Sequence, residues 1–409
     1  MWRTTRRVAA TAACFFLLFL TLVPVAGAAP PISTCEPDGV QSSGAIYRIC
    51  MPAPARWNGD LVIFAHGYVA FNEPFGIPED QVCSPDGLCL PTLINALGYA
   101  FATTSYSTNG LAVLPGVQDV VDLVGVFTGM HGAPGHVYLT GASEGGIVTA
   151  LTIEQHPDVF DGGLAACGPI GDWHKQISYF GDFRVIFEYF FPGVLPPSVT
   201  DVPSELIDHW DDVWENDVKP VVFDPLNEDK LDQLLKIANT PFDKNDPATI
   251  ELSVHDALWY WVFATNDAAD KLGGQPFDNV GRRYRGSHND VALNAGVIRV
   301  AADQAAVDEI QANYQTTGDL EVPLVTLHTT KDQQVPYMHE PLYRQKVKST
   351  GDTALHVNIP VFRYGHCNFK PLDVVLAFGR LVNKVTGQEM DVPVALSSAG
   401  VTASIKSKR

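Results

Sequence analysis

Apolar residues recur along the chain in two alternating rhythms. Short apolar, β-branched runs predict strands at Ala45–Met51, Leu61–Ala65, Tyr99–Thr104, His136–Thr140 and Gly162–Ala166, and later at Leu324–His328 and Leu355–Phe362. Between them the spacing lengthens to a helical period over Leu90–Leu97, Pro115–Met130, Glu144–His156, Tyr337–Lys348 and Pro371–Asn383. In the second of these helices Val117, Val120, Val121, Val124 and Phe127 fall on one face. Strands that alternate with helices of this length predict a mostly parallel sheet covered on both faces, an α/β fold. No internal repeat of fixed period is visible.

One stretch breaks the rhythm. From Asp172 to about Ser287 the alternation stops, and eight aromatic residues crowd between Trp173 and Phe191. Five of the seven tryptophans lie between Trp173 and Trp261. A structureless loop of this length does not belong inside a compact domain, so the segment reads as a helical cap inserted after a strand. Its aromatics are either the cap's own core or the wall of an apolar pocket. The expected division is therefore core at 29–171, cap at 172–287, core again at 288–386, and a loosely attached tail at 387–409.

The N-terminus bears on the compartment. Arg3, Arg6 and Arg7 precede an apolar run from Cys14 to Val23, and Ala26-Gly27-Ala28 supplies small residues for cleavage, so residues 1–28 read as a signal peptide. No second apolar run of membrane-spanning length is apparent, so a secreted protein without a stable membrane anchor is expected. Composition agrees with a globular chain: 409 residues, 46% apolar and 18% charged. The net charge of -19 repels phosphate backbones and disfavours nucleic-acid partners. Setting Cys14 aside leaves six cysteines, an even number suited to an oxidising compartment. The spacing suggests Cys35 with Cys50 and Cys83 with Cys89, leaving Cys167 and Cys367 for a long-range bridge, one of several connectivities open to six cysteines. Neither C-x-x-C nor H-E-x-x-H occurs, so no metal site is expected.

Chemistry concentrates in a few short motifs. Gly141-Ala142-Ser143-Glu144-Gly145 is a G-x-S-x-G between a strand and a helix, the setting of a nucleophile elbow. The tight turn demands small flanking residues, exposes the serine hydroxyl and aims a helix N-terminus at a developing oxyanion. Downstream, the strand ending at His328 opens into Thr-Thr-Lys-Asp332-Gln-Gln-Val-Pro336, which offers an acid at a strand tip. Asp172 is the rival acid. Tyr364-Gly365-His366-Cys367 then places a histidine after the last strand. The order Ser143, Asp332, His366 is the triad order of α/β-hydrolases. Ala65-His66-Gly67-Tyr68 ends an early strand, so the backbone N–H groups of Tyr68 and Glu144 are the expected oxyanion donors, with Gly67 or Val69 as alternatives to Tyr68.

With these motifs the chain resembles a secreted member of the α/β-hydrolase superfamily over about residues 45–386. The resemblance implies an eight-stranded, mostly parallel sheet with helices on both faces and a cap entering after the sixth strand. It also implies a cofactor-free serine hydrolase of the esterase and lipase type, with a small-molecule or polymeric ester as substrate. An HGGG oxyanion loop is absent, which separates the chain from hormone-sensitive-lipase-like enzymes. The cysteine after His366 is similar to that of tannase- and feruloyl-esterase-like enzymes, whose disulfide ties the serine and histidine loops, although Ala142 precedes the serine here. A peptidase of prolyl-oligopeptidase-like or aminopeptidase type, an acyltransferase, and a catalytically dead binding module on the same fold are the alternative readings.

Overall fold

The computed structural model describes residues 33–84 and 87–390. The signal-peptide reading of residues 1–28 and most of the tail lie outside the described residues. Nine strands form one sheet: β1 (Ser33–Cys35), β2 (Gly39–Val40), β3 (Ile46–Pro52), β4 (Leu61–Ala65), β5 (Ala100–Thr104), β6 (Val137–Ala142), β7 (Gly162–Ala166), β8 (Leu324–Lys331) and β9 (His356–Tyr364). Their order is β1-β3-β5-β4-β6-β7-β8-β9, with β2 paired to β3 at the edge. Strands β4 to β9 are mutually parallel, and β3 runs antiparallel to β5. Leaving the two-residue β2 aside, this is the strand order and polarity of the α/β-hydrolase fold.

The edge strands β1 and β2 were not foreseen. They are only three and two residues long and carry little apolar pattern. The Cys35–Cys50 disulfide, across directly paired residues, fixes β1 on β3.

The principal helices are α1 (Leu90–Ala96), α2 (Val113–His131), α3 (Glu144–Gln155), α4 (Trp173–Phe190), α5 (Glu228–Ala238), α6 (Ala248–Lys271), α7 (His339–Thr350) and α8 (Pro371–Thr386). The two-residue period of β4 distributes them. Leu61, Ile63 and Ala65 pack with Val117, Val120, Leu123 and Phe127 of α2 and Ile147 of α3. Val62 faces the other way, with Tyr138, Leu164, Val325 and Leu327, against Phe378, Leu381 and Val382 of α8. Helix α2 qualifies the expectation of no further membrane-length stretch, since by length and hydropathy it could span one. Its apolar face is instead used inside the sheet core.

The chain between β7 and β8 is helical and carries an apolar cluster of its own. Phe183, Ile186 and Phe187 of α4 meet Leu234 of α5, Leu258 and Trp261 of α6, and Trp210 and Trp214 between them. Leu293 and Val297 belong to the same cluster, whereas Ala306, Ile310 and Tyr314 rejoin the sheet core. The Arg184 guanidinium is buried here, 4.5 Å over the Trp261 ring and bonded to Glu188.

Phe183 is fully buried. Phe183→Ala is therefore expected to cost about 3–5 kcal/mol in denaturant unfolding. Leu226→Ala, at a side chain 91% exposed, should stay within about 0.5 kcal/mol.

Candidate active site

The register of the parallel strands lines up their C-terminal ends. Ala65 pairs with Gly141, Ala142 with Ala166, and Ala166 with Leu327, so the loops after β4, β6, β7, β8 and β9 rise from one edge of the sheet. Open α/β sheets place their sites at this edge.

Ser143 follows β6 with φ 58° and ψ −121°, a region that side chains rarely enter. The neighbouring glycines make the turn possible. A Cβ on Gly145 would lie 2.0 Å from the Ala65 carbonyl oxygen, and one on Gly141 would lie 2.0 Å from the Gly145 carbonyl oxygen. Among the described residues five non-glycines have positive φ, and Ser143, Cys167 and Cys367 are three of them. Backbone strain thus gathers at this edge, as it does at functional sites.

The loop after β4 presses on the elbow: a Cβ on Gly67 would lie 3.1 Å from Ser143 Cβ. Gln81 clamps that loop, accepting from Gly67 N–H at 2.6 Å and donating to the Tyr68 carbonyl at 3.2 Å. Among the described residues neither Tyr68 N–H nor Glu144 N–H has a hydrogen-bond partner. Gln81 stands on the short helix Glu79–Val82, which runs directly into the Cys83–Cys89 disulfide.

At the far side of the edge His366 Nδ1 donates to Asp332 Oδ2 at 2.8 Å and lies 3.0 Å from Oδ1. The Asp332 loop curls so that Gln334 and Val335 N–H both donate to Oδ1 at 2.9 Å. Asp332 is wholly buried, and so is a second histidine beside it. His328 donates from Nε2 to the Val335 carbonyl at 2.9 Å, with Asp332 Oδ2 at 3.4 Å, and its Nδ1 faces Glu340 Oε1 at 3.2 Å. Glu340 is completed by Thr326 Oγ1 and Asn358 Nδ2, each at 2.6 Å. Burial would raise the Asp332 pKa, but His366 and His328 outweigh it and hold the carboxyl well below its ordinary range. Burial likewise disfavours the His328 cation, yet Asp332 and Glu340 push its pKa up to about 10.

Asp172, the rival acid, is engaged elsewhere. It caps α4 by accepting from Lys175 N–H, and it accepts from Gln315 Nε2.

The histidine loop is pinned at both ends. Gly365 turns at φ 108°, Thr329 Oγ1 donates to its carbonyl at 2.7 Å, and Cys367 is bonded to Cys167 with Cα atoms 5.5 Å apart. Cys167 follows Ala166, whose carbonyl accepts from Ser143 N–H at 2.9 Å. The bridge therefore sets the histidine loop beside the elbow. Three disulfides of this kind belong to an oxidising compartment.

Ser143 Oγ and His366 are not hydrogen-bonded to each other among the described residues. His366 Nε2 lies 3.5 Å from Cys367 Sγ, and the Ser143 hydroxyl interacts with that of Tyr260. Such contacts commonly close only around substrate.

A cavity of about 100 Å³ opens on Ser143. Its wall is largely apolar and comes from two helical stripes: Trp173, Ile177 and Phe180 of α4, and Tyr260, Ala264 and Ala268 of α6. Phe180 and Tyr260 stack at 4.8 Å and also border a second cavity of about 80 Å³. Both readings of the aromatic segment thus apply, to different residues. Phe183 and Phe187 belong to the inserted core, while Trp173 and Phe180 face the cavity.

No family model and no curated protein sequence matches the chain. Among solved structures it is similar to an acylaminoacyl peptidase of Pyrococcus horikoshii, at 11% identity over 82% of this chain and 37% of that one, with TM-score 0.39. It is also similar to feruloyl esterase B of Aspergillus oryzae, at 15% identity over 87% and 81% of the two chains, with TM-score 0.44. An esterase of Rhizomucor miehei gives 12% identity over 87% and 85%, with TM-score 0.43. The chain spans less than half the length of the acylaminoacyl peptidases.

The sequence reading missed Gln81, His328 and Glu340, and it held Tyr260 only among the aromatics of the inserted segment. Only Tyr260 left a readable signal. Tyr260, Ala264 and Ala268 recur every fourth residue, in a stripe that adjoins the stripe of Val254, Leu258 and Trp261 on the same helix.

Two pH effects on stability follow. Asp332, depressed from 3.8, contributes stability that is present above 3.8 and is lost as pH falls through its lowered folded value. His328, raised from 6.5, contributes fully below 6.5 and loses that contribution as pH rises through about 10. The melting-temperature gap between wild type and His328→Gln should therefore shrink between pH 6.5 and 10. A gap that stays constant over this range would show that the His328 charge adds nothing.

Proposed function

We propose that the protein is a secreted serine hydrolase that cleaves carboxylic esters through Ser143, His366 and Asp332. The observation that carries this reading is the His366–Asp332 pair, held by the Cys167–Cys367 bridge beside a serine on a positive-φ strand-to-helix turn. His366 Nε2 removes the Ser143 proton as Oγ attacks the ester carbonyl. The Nδ1–H bond to Asp332 fixes the tautomer and stabilises the imidazolium. The N–H groups of Tyr68 and Glu144 receive the oxyanion. The imidazolium then protonates the departing alcohol, and water attacks the acyl-enzyme with His366 again as base. No cofactor enters the cycle. The cavity on Ser143 takes the acyl group, and at about 100 Å³ it suits acyl groups of a few carbons.

A panel of p-nitrophenyl esters and peptidyl anilides on one preparation tests the reaction class. Ester turnover with labelling of Ser143 alone by an active-site phosphonate is the expected result; anilide cleavage at higher kcat/KM would make the protein a peptidase. Ser143→Ala should lose roughly 10³–10⁶-fold in kcat with little change in unfolding. Asp332→Asn should lose roughly 10⁴-fold, because an amide can present its own N–H to His366 and select the wrong tautomer. Asp172→Asn should remain near wild-type activity, since Asp172 serves as a helix cap; the reverse ranking would move the acid to the loop after β7.

A further inference from the structure

The side chain of Glu144 is left over from this mechanism, which uses only its backbone N–H. Glu144 is 5% exposed, yet it is one of the residues that line the cavity opening on Ser143. Oε1 accepts from Ala112 N–H at 2.9 Å, and Oε2 is buried without a partner among the described residues. Trp173, which also lines the cavity, shares this condition: its Nε1 is buried and has no partner among the described residues. The other polar side chains around the cavity are occupied. Gln176 donates to the Gln334 carbonyl and accepts from His339, Tyr68 donates to the Phe263 carbonyl, and Tyr260 donates to Gln334 Oε1. A buried polar group without a partner costs on the order of 1–3 kcal/mol, a cost that a ligand can remove.

The protonation state decides what kind of ligand does so. Burial is the main influence on Glu144 and pushes its carboxyl up to about 8, so it carries its proton at neutral pH. The charged groups facing it are Lys271 and Asp267 of α6, which are paired with each other. The phenols of Tyr68, Tyr106, Tyr260 and Tyr314 surround it at longer range and are all raised, hence neutral. Below about pH 8 two residues of the largely apolar wall therefore carry a buried hydrogen donor without a partner among the described residues, the Glu144 carboxyl O–H and the Trp173 indole N–H. Their complement is an acceptor oxygen on a compact carbon chain.

We propose that the cavity selects oxygenated acyl groups, hydroxy-, alkoxy- or oxo-acyl, through a hydrogen bond from the Glu144 carboxyl to an oxygen close to the scissile carbonyl. The proposal rests on the serine-esterase reading and names its substrate class. An ammonium group, which offers only donors, mismatches both.

The test compares p-nitrophenyl methoxyacetate with p-nitrophenyl butanoate, which have nearly the same shape and differ by one ether oxygen. The β-alanyl ester forms a third arm. The readout is the ratio of kcat/KM values in each variant divided by that in Glu144→Leu, which cancels the intrinsic reactivity of the esters. Wild type should favour methoxyacetate by about tenfold or more below pH 7, and the preference should fall as pH rises through about 8. Glu144→Gln, whose amide can keep the Ala112 contact and still donate, should retain a preference and lose its pH dependence. This variant also keeps the question decidable if Glu144→Leu does not fold.

Equal ratios in wild type and Glu144→Leu overturn the proposal while leaving the esterase reading intact. A preference for the β-alanyl ester that grows above pH 8 overturns it in favour of an ionised carboxylate that binds cations. Absence of ester turnover together with absence of phosphonate labelling at Ser143 removes both readings.

Discussion

A carboxylate taken wholly out of water is the constraint around which this sheet edge is arranged. Isolated burial of such a charge is prohibitive, and Asp332 is fully buried. The structure answers with two backbone N–H groups, His366 on the open side and His328 on the closed side. His328 faces Asp332 on one side and Glu340 on the other, and Glu340 has its remaining needs met by Thr326 and Asn358. Charge therefore alternates inward from the cavity to the core. Each member is tolerable only because the next is present. One side of this chain reaches the imidazole at the site, and the other ends among strands β8 and β9. The tips of these strands consequently act as one electrostatic unit.

What was legible in the chain follows from how local each signal is. The strand–turn–helix around Ser143 needs its glycines within two residues, and Gly141 and Gly145 are there because a Cβ would strike backbone. Asp332 and His366 each follow an apolar run long enough to read as a strand. The clamp on the loop after β4 was not legible. Gln81 lies 13 residues beyond Tyr68 and meets it only because the chain folds back there. The same holds for His328 and Glu340, which look like an ordinary strand residue and an ordinary helix residue until β8 and α7 are placed side by side. The aromatic segment was legible as an insertion but not as two faces, because eight aromatics in nineteen residues blur any period. Only packing showed which ring faces the inserted core and which faces the cavity.

The inserted helices do more than cover the edge. Helices α4 and α6 each turn one stripe to the cluster of Phe183, Phe187 and Trp261 and another to the cavity on Ser143. The shape of the cavity is thus set by helices whose positions are decided by their other faces. Small residues at Ala264 and Ala268 make the space, and the Phe180–Tyr260 stack bounds it. Changes in the inserted core can be felt at the site through the tilt of these two helices, without any contact with substrate.

The bridge from Cys167 to Cys367 has a topological consequence. It joins residues 200 positions apart, one directly after β7 and the other directly after His366. The inserted helices, β8, Asp332, β9 and His366 itself therefore all lie within one covalent ring, while Ser143 precedes it by only a short helix and strand. A single peptide cut anywhere inside the ring leaves two polypeptides that are still one molecule, with Ser143, Asp332 and His366 covalently connected. A nick in the long insertion would therefore release none of these three residues by diffusion.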